Sequence, residues 1–432
     1  MAHKRKFIPG REIVYQIFPD RWKKNDKVVQ SKENNSFHGG TLRGITETIP
    51  YLKELGVTAI YLNPIFTAGS PHRYDTIDYN SIDPMLGTYR DYLELVETVH
   101  QNNMLLILDG VFNHTSHEHP WFKNPVSRRR YYIMKDKNKT MMWKDGNHLP
   151  KLDAQKPEVR KKILKVLDRW SEADGWRLDA AHLLPFDFLK EIKKKLCGKP
   201  IWIEDWHFAP QYAHKNLSDG VTNFLFRENI RTFFIEDSSP ETFLERVSNL
   251  QATYPKRFLN MSWNFLGNHD TERFISIAGR ERTFKAFFFL LTLPGIPMLY
   301  HGDEIGLSEK NVQEARGDML WDTSKQDIDL KLHVKKLIEI RKKYNALFSG
   351  EFKPIFADNR SRTLIFEMRK EDESAVVGLN DGYCSCFVGS GKDNLKLNPS
   401  DSFIKIKKSG KIIEEFHFSS SPFANRSDSR EK

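Results

Sequence analysis

Cysteine is nearly absent, with only Cys197, Cys384 and Cys386 among 432 residues. So small and odd a number implies no disulfide framework, and a reducing cytoplasm is the simplest home. Long apolar runs are missing too. None reaches the roughly 18 residues of a membrane span, and "MAHKRKFIPGREIVYQIF" at the amino terminus has charge without the apolar stretch of a secretory signal. Nor are there long blocks of one charge sign. Lys and Arg number 67 against 57 Asp and Glu, a net +10. The basic residues fall in short clusters, such as Arg160 to Lys162 and Lys193 to Lys195, on expected helix surfaces. That pattern reads as a solvated basic face, with neither nucleic acid nor membrane as a partner.

What is present is ordinary globular material, 39% hydrophobic and 12% aromatic, enough for one large domain and a smaller one. Short apolar runs at 12–18, 57–62, 104–109, 174–179, 200–204, 220–224, 260–266 and 296–300 read as eight strands. Amphipathic segments alternate with them. In "TYRDYLELVETVHQ", Tyr92, Leu95, Val96 and Val99 recur at three- and four-residue steps, and "KPEVRKKILKVLDRW" carries Pro157 in its first turn. Strands and helices in this order predict an α/β fold, a closed (β/α)8 TIM barrel over 1–112 and 156–350. The excursion at 113–155 is too long for an ordinary βα loop and reads as an inserted subdomain. Beyond 350, short β-rich runs separated by turn residues predict an antiparallel sandwich over 351–420, followed by a disordered tail at 421–432. Cys384 and Cys386, two apart in "YCSCFVG", are expected to share one face of a strand.

Three acids end apolar runs: Asp179 in "DGWRLD", Glu204 in "KPIWIED" and Asp270 in "WNFLGNHD". Carboxylates at the carboxyl ends of barrel strands face a shared mouth, where catalytic groups collect. Two of them suffice to break a glycosidic bond, and a third can hold the substrate. Arg177 stands two residues before Asp179, so both point to one face of the strand. There it is expected to keep Asp179 ionised and oriented, as a nucleophile needs. Glu204 lies among Trp202, Trp206 and Phe208, and dry aromatic surroundings are what a general acid needs to stay protonated. Trp143 either stacks on a sugar or anchors a small core.

These stretches resemble the sequence regions of the α-amylase family of glycoside hydrolases. "DGVFNH", "GWRLDAAH", "IEDWH" and "FLGNHD" carry the likeness, and "VYQIFPDRW", "FHGGTLRGI", "AIYLNPIF", "GIPMLYHGDEIGL" and "ARGDMLWD" follow in order. The resemblance implies Asp179 as nucleophile, Glu204 as acid and base, and Asp270 as the carboxylate that binds sugar hydroxyls. It also implies Arg177, His114, His269 and Arg316 as residues of the sugar subsite, with Tyr74 as its aromatic platform. "LPKLD" with Lys151, "DGVTNFLF" and the Trp206-His207 pair resemble the neopullulanase, cyclomaltodextrinase and maltogenic amylase subgroup. The implied substrates are α-1,4-glucans, from malto-oligosaccharides and cyclodextrins to starch. The implied reaction is retaining hydrolysis through a glycosyl-enzyme, with 4-α-glucanotransferase or a non-catalytic carbohydrate-binding subunit as alternatives.

Three departures bear on this. Ile203 stands where the family usually has Gly before its acid. No cofactor is expected for the chemistry and no metal ligands are assigned; structural calcium is left open, because Asn25 and Asp26 sit in a loop crowded with Lys and Asn113 has no clear carboxylate partners. The subgroup's extra N-terminal domain is not expected before a first strand that begins near Glu12, so a monomer is the default.

Overall fold

The computed structural model describes residues 5–24, 36–137, 139–143, 148–205, 210–309, 314–388 and 395–419. Eight parallel strands close into a barrel in chain order: Val14–Ile17, Ala59–Leu62, Leu105–Gly110, Gly175–Leu178, Ile201–Asp205, Gly220–Asn223, Trp263–Asn264 and Ile296–Tyr300. Each coincides with an expected apolar run. Parallel strands covered by helices outside and side chains inside are apolar on both faces, which is why the runs are continuous rather than alternating. The seventh is the shortest, because Asn260 and Met261 belong to the helix Lys256–Met261 that feeds it.

The helices form where the periodicity placed them. Tyr89–Gln101 starts at a capping box in which Thr88 and Asp91 each accept from the other's backbone N–H, and it buries Tyr92, Leu95, Val96 and Val99. Pro157–Arg169 carries its proline in the first turn, where the missing N–H costs nothing. In "FKAFFFLLT" the residues are buried all round, as the sequence requires of a core helix, and among the described residues no helix is long and apolar enough to cross a membrane.

Two layers of core result. Val14, Tyr61, Ile107, Trp202, Trp263 and Met298 fill the barrel, and Phe7 packs beneath them with its ring 5.0 Å from that of Trp202. Ile203 and Leu178 point outward into the larger core between sheet and helices. Period-two alternation then turns Glu204 inward, above Trp202, and the large residue at 203 does not disturb it.

Two excursions rise above the carboxyl ends of the strands. After the second strand, a hairpin of Phe66–Ala68 and Thr76–Ile82 carries Tyr74 in its loop. After the third, residues 113–155 hold the short helices Pro120–Lys123 and Pro125–Tyr131 and a series of antiparallel bridges, among them His114 to Lys151 and Tyr132 to Leu152.

At the carboxyl end, five antiparallel strands run in the order Glu351–Asp358, Thr363–Lys370, Glu373–Asn380, Asp401–Lys408, Lys411–Ser419, with a two-stranded piece, Cys386–Val388 and Leu395–Leu397, on one face. The sandwich is thus lopsided. The other face of the large sheet, with Leu364, Phe366, Met368, Val377 and Ile404, joins the core of the barrel helices, and Phe418 meets Phe288 at 5.6 Å. One expectation fails here. Cys384 precedes the short strand and is exposed, whereas Cys386 is buried in it, so the two share no face; Gly382, Tyr383 and Cys384 form a bend that consumes the expected first strand residues. The tail at 421–432 lies outside the described residues.

Candidate active site

Arg177 is the hub of the barrel mouth. Its side chain is 3% exposed, and one guanidinium nitrogen donates to Asp109 Oδ1 and Oδ2 at 3.0 and 3.1 Å and to Asp179 Oδ1 at 3.0 Å. Its other nitrogen lies 3.2 Å from Glu204 Oε1. The strand register makes this happen, for Asp109 pairs with Arg177 across the third and fourth strands and Glu204 sits one strand further on. Immediately after Asp179 the chain turns sharply. Ala180 takes φ 45°, the left-handed region that a non-glycine residue enters only when its surroundings hold it there. Its N–H thereby reaches Glu204 Oε2 at 3.0 Å.

A second set of groups closes the opposite wall. Tyr74 stacks on His269 with ring centres 5.2 Å apart and planes 7° apart, and its hydroxyl donates to Asp109 Oδ2 at 2.8 Å. His269 Nε2 lies 3.1 Å from Asp270 Oδ2. Arg316 donates to Asp270 Oδ1 and to the His269 carbonyl, both at 2.8 Å. It is thereby engaged in holding Asp270. His114 Nε2 meets the Tyr74 carbonyl at 3.0 Å, and its ring lies parallel to Trp143 at 6.0 Å. Trp143 thus faces His114, and His182 lies 6.1 Å from its ring. Lys151 is brought alongside His114 by their backbone bridge, and partial burial lowers the pKa of its ammonium group. Trp206 and His207 lie outside the described residues. Trp202, expected to flank Glu204, lies one layer below it, where its indole donates to the Met261 carbonyl.

The chain matches the family model described as alpha amylase, catalytic domain, over residues 16–338. It is 34% identical over 401 residues to a cyclomaltodextrinase of Geobacillus thermopakistaniensis, covering 85% of this chain and 68% of that protein. To neopullulanase 2 of Thermoactinomyces vulgaris it is 32% identical, covering 85% and 69%. The chain belongs to the α-amylase family. A solved structure of cyclic alpha-maltosyl-(1→6)-maltose hydrolase from Arthrobacter globiformis has the same architecture, with a TM-score of 0.86 at 28% identity over 93% of this chain and all of that one.

As an α-amylase-type glycosidase, the protein places its two foremost carboxyls in opposite electrostatic states. Burial pushes the Asp179 carboxyl well above its usual pKa; Arg177 pulls the other way, and Glu204, Asp109 and Asp270 push it further up. Arg177 favours the ionised form of Asp179, as expected, but one guanidinium is divided among Asp109, Asp179 and Glu204, and burial together with their mutual repulsion leaves the net direction upward. Asp270 is the reverse case. Burial would raise it, but His269, Arg316 and Arg177 together outweigh that and hold it well below the carboxylate range.

These shifts have opposite consequences for stability. Asp179, raised in the folded state, contributes stability below its unfolded pKa that is lost as pH rises through the folded value; Asp270, depressed, contributes stability above its unfolded pKa that is lost only in strong acid. Asp179→Asn should therefore raise the melting temperature at neutral pH, by about 1–4 °C, with the gain vanishing toward pH 4. Asp270→Asn should lower it over the same range. Melting curves from about pH 4 to pH 8 test the pair, and a destabilised Asp179→Asn at neutral pH would sink this reading.

Sequence reasoning missed part of the site. Asp109 was visible in "LDG" but without its role as a partner of Arg177. Gln16, Tyr61 and Asn63 also face the mouth: Tyr61 donates to Asp109 Oδ2 at 2.6 Å, Asn63 Nδ2 to Tyr74 at 2.9 Å, and Gln16 lies 2.8 Å from His269. The available signal was parity. Gln16 follows the inward Val14 by two residues, and Asn63 follows Tyr61 by two.

For calcium, Asn113 offers a buried Oδ1 with no partner. Among the described residues no group of three or more His, Cys, Asp or Glu accompanies any such position, and one amide oxygen falls short of the six to eight oxygens that calcium takes. Asn25 and Asp26 lie outside the described residues.

Proposed function

We propose that the protein is a retaining glycosidase that cleaves α-1,4-glucosidic bonds in malto-oligosaccharides, cyclodextrins or starch-like glucans. The observation that carries this is a single buried guanidinium in contact with both Asp179 and Glu204. Retention needs two carboxyls about 5–5.5 Å apart, and sharing one guanidinium keeps them at close quarters. The relatives' names, cyclomaltodextrinase and neopullulanase, favour α-glucans.

In this mechanism, Asp179 attacks the anomeric carbon as Glu204 gives its proton to the departing oxygen. Water then enters with Glu204 taking a proton back, and the sugar leaves with its configuration retained. The pair must carry one proton between them, and the reactive distribution places it on Glu204. Asp270, kept ionised by its neighbours, accepts hydroxyl hydrogen bonds from the sugar and faces positive charge as it develops at the anomeric centre. The chemistry draws only on side chains. We take the protein to be a monomer in the cytoplasm, a reducing compartment that suits its free cysteines, two of them exposed.

Incubation with maltotriose, maltoheptaose, cyclodextrin, pullulan and soluble starch, with products resolved by length and anomer, tests the proposal. Shorter products released as the α-anomer are expected. Oligomers longer than the substrate at early times would reassign the protein as a 4-α-glucanotransferase, and unchanged substrates would reassign it as a carbohydrate-binding subunit.

A further inference from the structure

His269 stands between Tyr74 and Asp270, and in its neutral form only one ring nitrogen carries a proton. Which one is decided by what the other nitrogen meets. The hydrogen bonds leading to it can be followed from their fixed end. Asp109, paired with Arg177, receives the Tyr74 hydroxyl at 2.8 Å. The single hydroxyl proton of Tyr74 is thereby spent, and its oxygen can only accept from its other neighbours, Asn63 Nδ2 at 2.9 Å and His269 Nε2 at 2.7 Å. Asn63 is oriented in turn. Its Oδ1 accepts from Gln16 Nε2 at 3.0 Å, and the second amide proton of Gln16 falls on His269 Nδ1 at 2.8 Å.

Nδ1 is thus an acceptor, and the ring proton sits on Nε2, facing the Tyr74 oxygen and Asp270 Oδ2. Turning both amides around would give the Tyr74 proton to Asn63 and leave two bare oxygens facing each other between Tyr74 and Asp109. The orientation that avoids this leaves one defect, the buried Gln16 Oε1 with no partner. Native proteins rarely leave such an atom unpaired; here the amide is held by its two donated bonds.

We infer that Gln16, fully buried on the first strand, is a positioning residue that fixes His269 as its Nε2–H tautomer and so turns that N–H toward the Tyr74 oxygen and Asp270. The effect on turnover rests on the proposed glycosidase function; the tautomer does not. Without the amide, Nδ1 is free to take the proton, and Nε2 then confronts Asp270 with a lone pair.

The test is nitrogen NMR on substrate-free protein labelled with 15N-histidine, with His269 assigned by the signals lost in His269→Gln. Where its ring is neutral, His269 of the native protein should show a protonated Nε2 and a bare Nδ1. Gln16→Leu should shift the ring toward the other tautomer and lower kcat about tenfold with little change in KM. In Gln16→Glu, Nδ1 should gain a proton, because the new carboxylate accepts where the amide donated. If Gln16→Leu fails to fold, Gln16→Met, closer in length, gives the same readout. A native Nδ1–H, or an unchanged spectrum in Gln16→Leu, overturns the inference. Tautomer dependence on Gln16 in a protein that cleaves no glucan would overturn the proposed function instead.

Discussion

Asp179→Asn should form no covalent glycosyl-enzyme on any α-glucan or α-glycosyl fluoride and should lose at least about 10⁴-fold in turnover, as removal of a nucleophile does elsewhere. Glu204→Gln should behave differently. On malto-oligosaccharides it should lose on the order of 10²–10⁴-fold, the worth of general acid–base assistance. On α-maltosyl fluoride, whose leaving group needs no proton, it should still form the intermediate and then stall, because no base remains to activate water. Mass spectrometry of each variant after mixing with the fluoride reads the two roles directly. A covalent adduct in Asp179→Asn, or near-native hydrolysis of maltoheptaose by Glu204→Gln, would remove these assignments.

The second large effect is on folding. Arg177 is buried with Asp109, Asp179 and Glu204 around it, so Arg177→Met leaves three buried carboxyl groups in the barrel mouth without the cation they share. Breaking a buried ion pair by removing one partner typically costs about 3–5 kcal/mol, and here the loss should reach at least that range at neutral pH. Arg177→Lys should fold better yet remain inactive, since an ammonium group is a point charge and cannot span the separate contacts that the guanidinium makes. Urea unfolding at neutral pH measures this. A loss below about 1 kcal/mol, typical of an exposed pair, would mean that Arg177 is not the hub.

The barrel was legible because its strands are buried on both faces, and continuous apolar runs such as "LLILDG" and "IPMLY", spaced by amphipathic helices, fit little besides a parallel sheet. Asp179 and Glu204 stand where such runs end, as the sequence places them, whereas Asp270 lies in a turn beyond the seventh strand, Trp263–Asn264. What the sequence withheld was sharing. Arg177 was read as the private partner of Asp179 from their two-residue spacing, and nothing local could tell that Asp109 and Glu204, one strand away on either side, divide the same guanidinium. Gln16 was hidden for a similar reason: its partners, Asn63 and His269, come from distant parts of the chain. Ile203, where the family usually has Gly, points outward and leaves Glu204 beside Arg177.

The sheet at the carboxyl end has its own implication for anyone cutting this chain into pieces. Its inner face is not a spare surface covered by chance; Phe366, Phe418 and their neighbours interlock with Phe288 and Phe289 of the long barrel helix, and the buried cation of Lys285 reaches Asp381 at 2.8 Å. A chain ended near Gly350 would present that aromatic helix face to water, and the severed sheet would present its matching half. Neither fragment would behave as a clean module, and a fusion or truncation meant to leave the barrel soluble should keep every strand through Ser419.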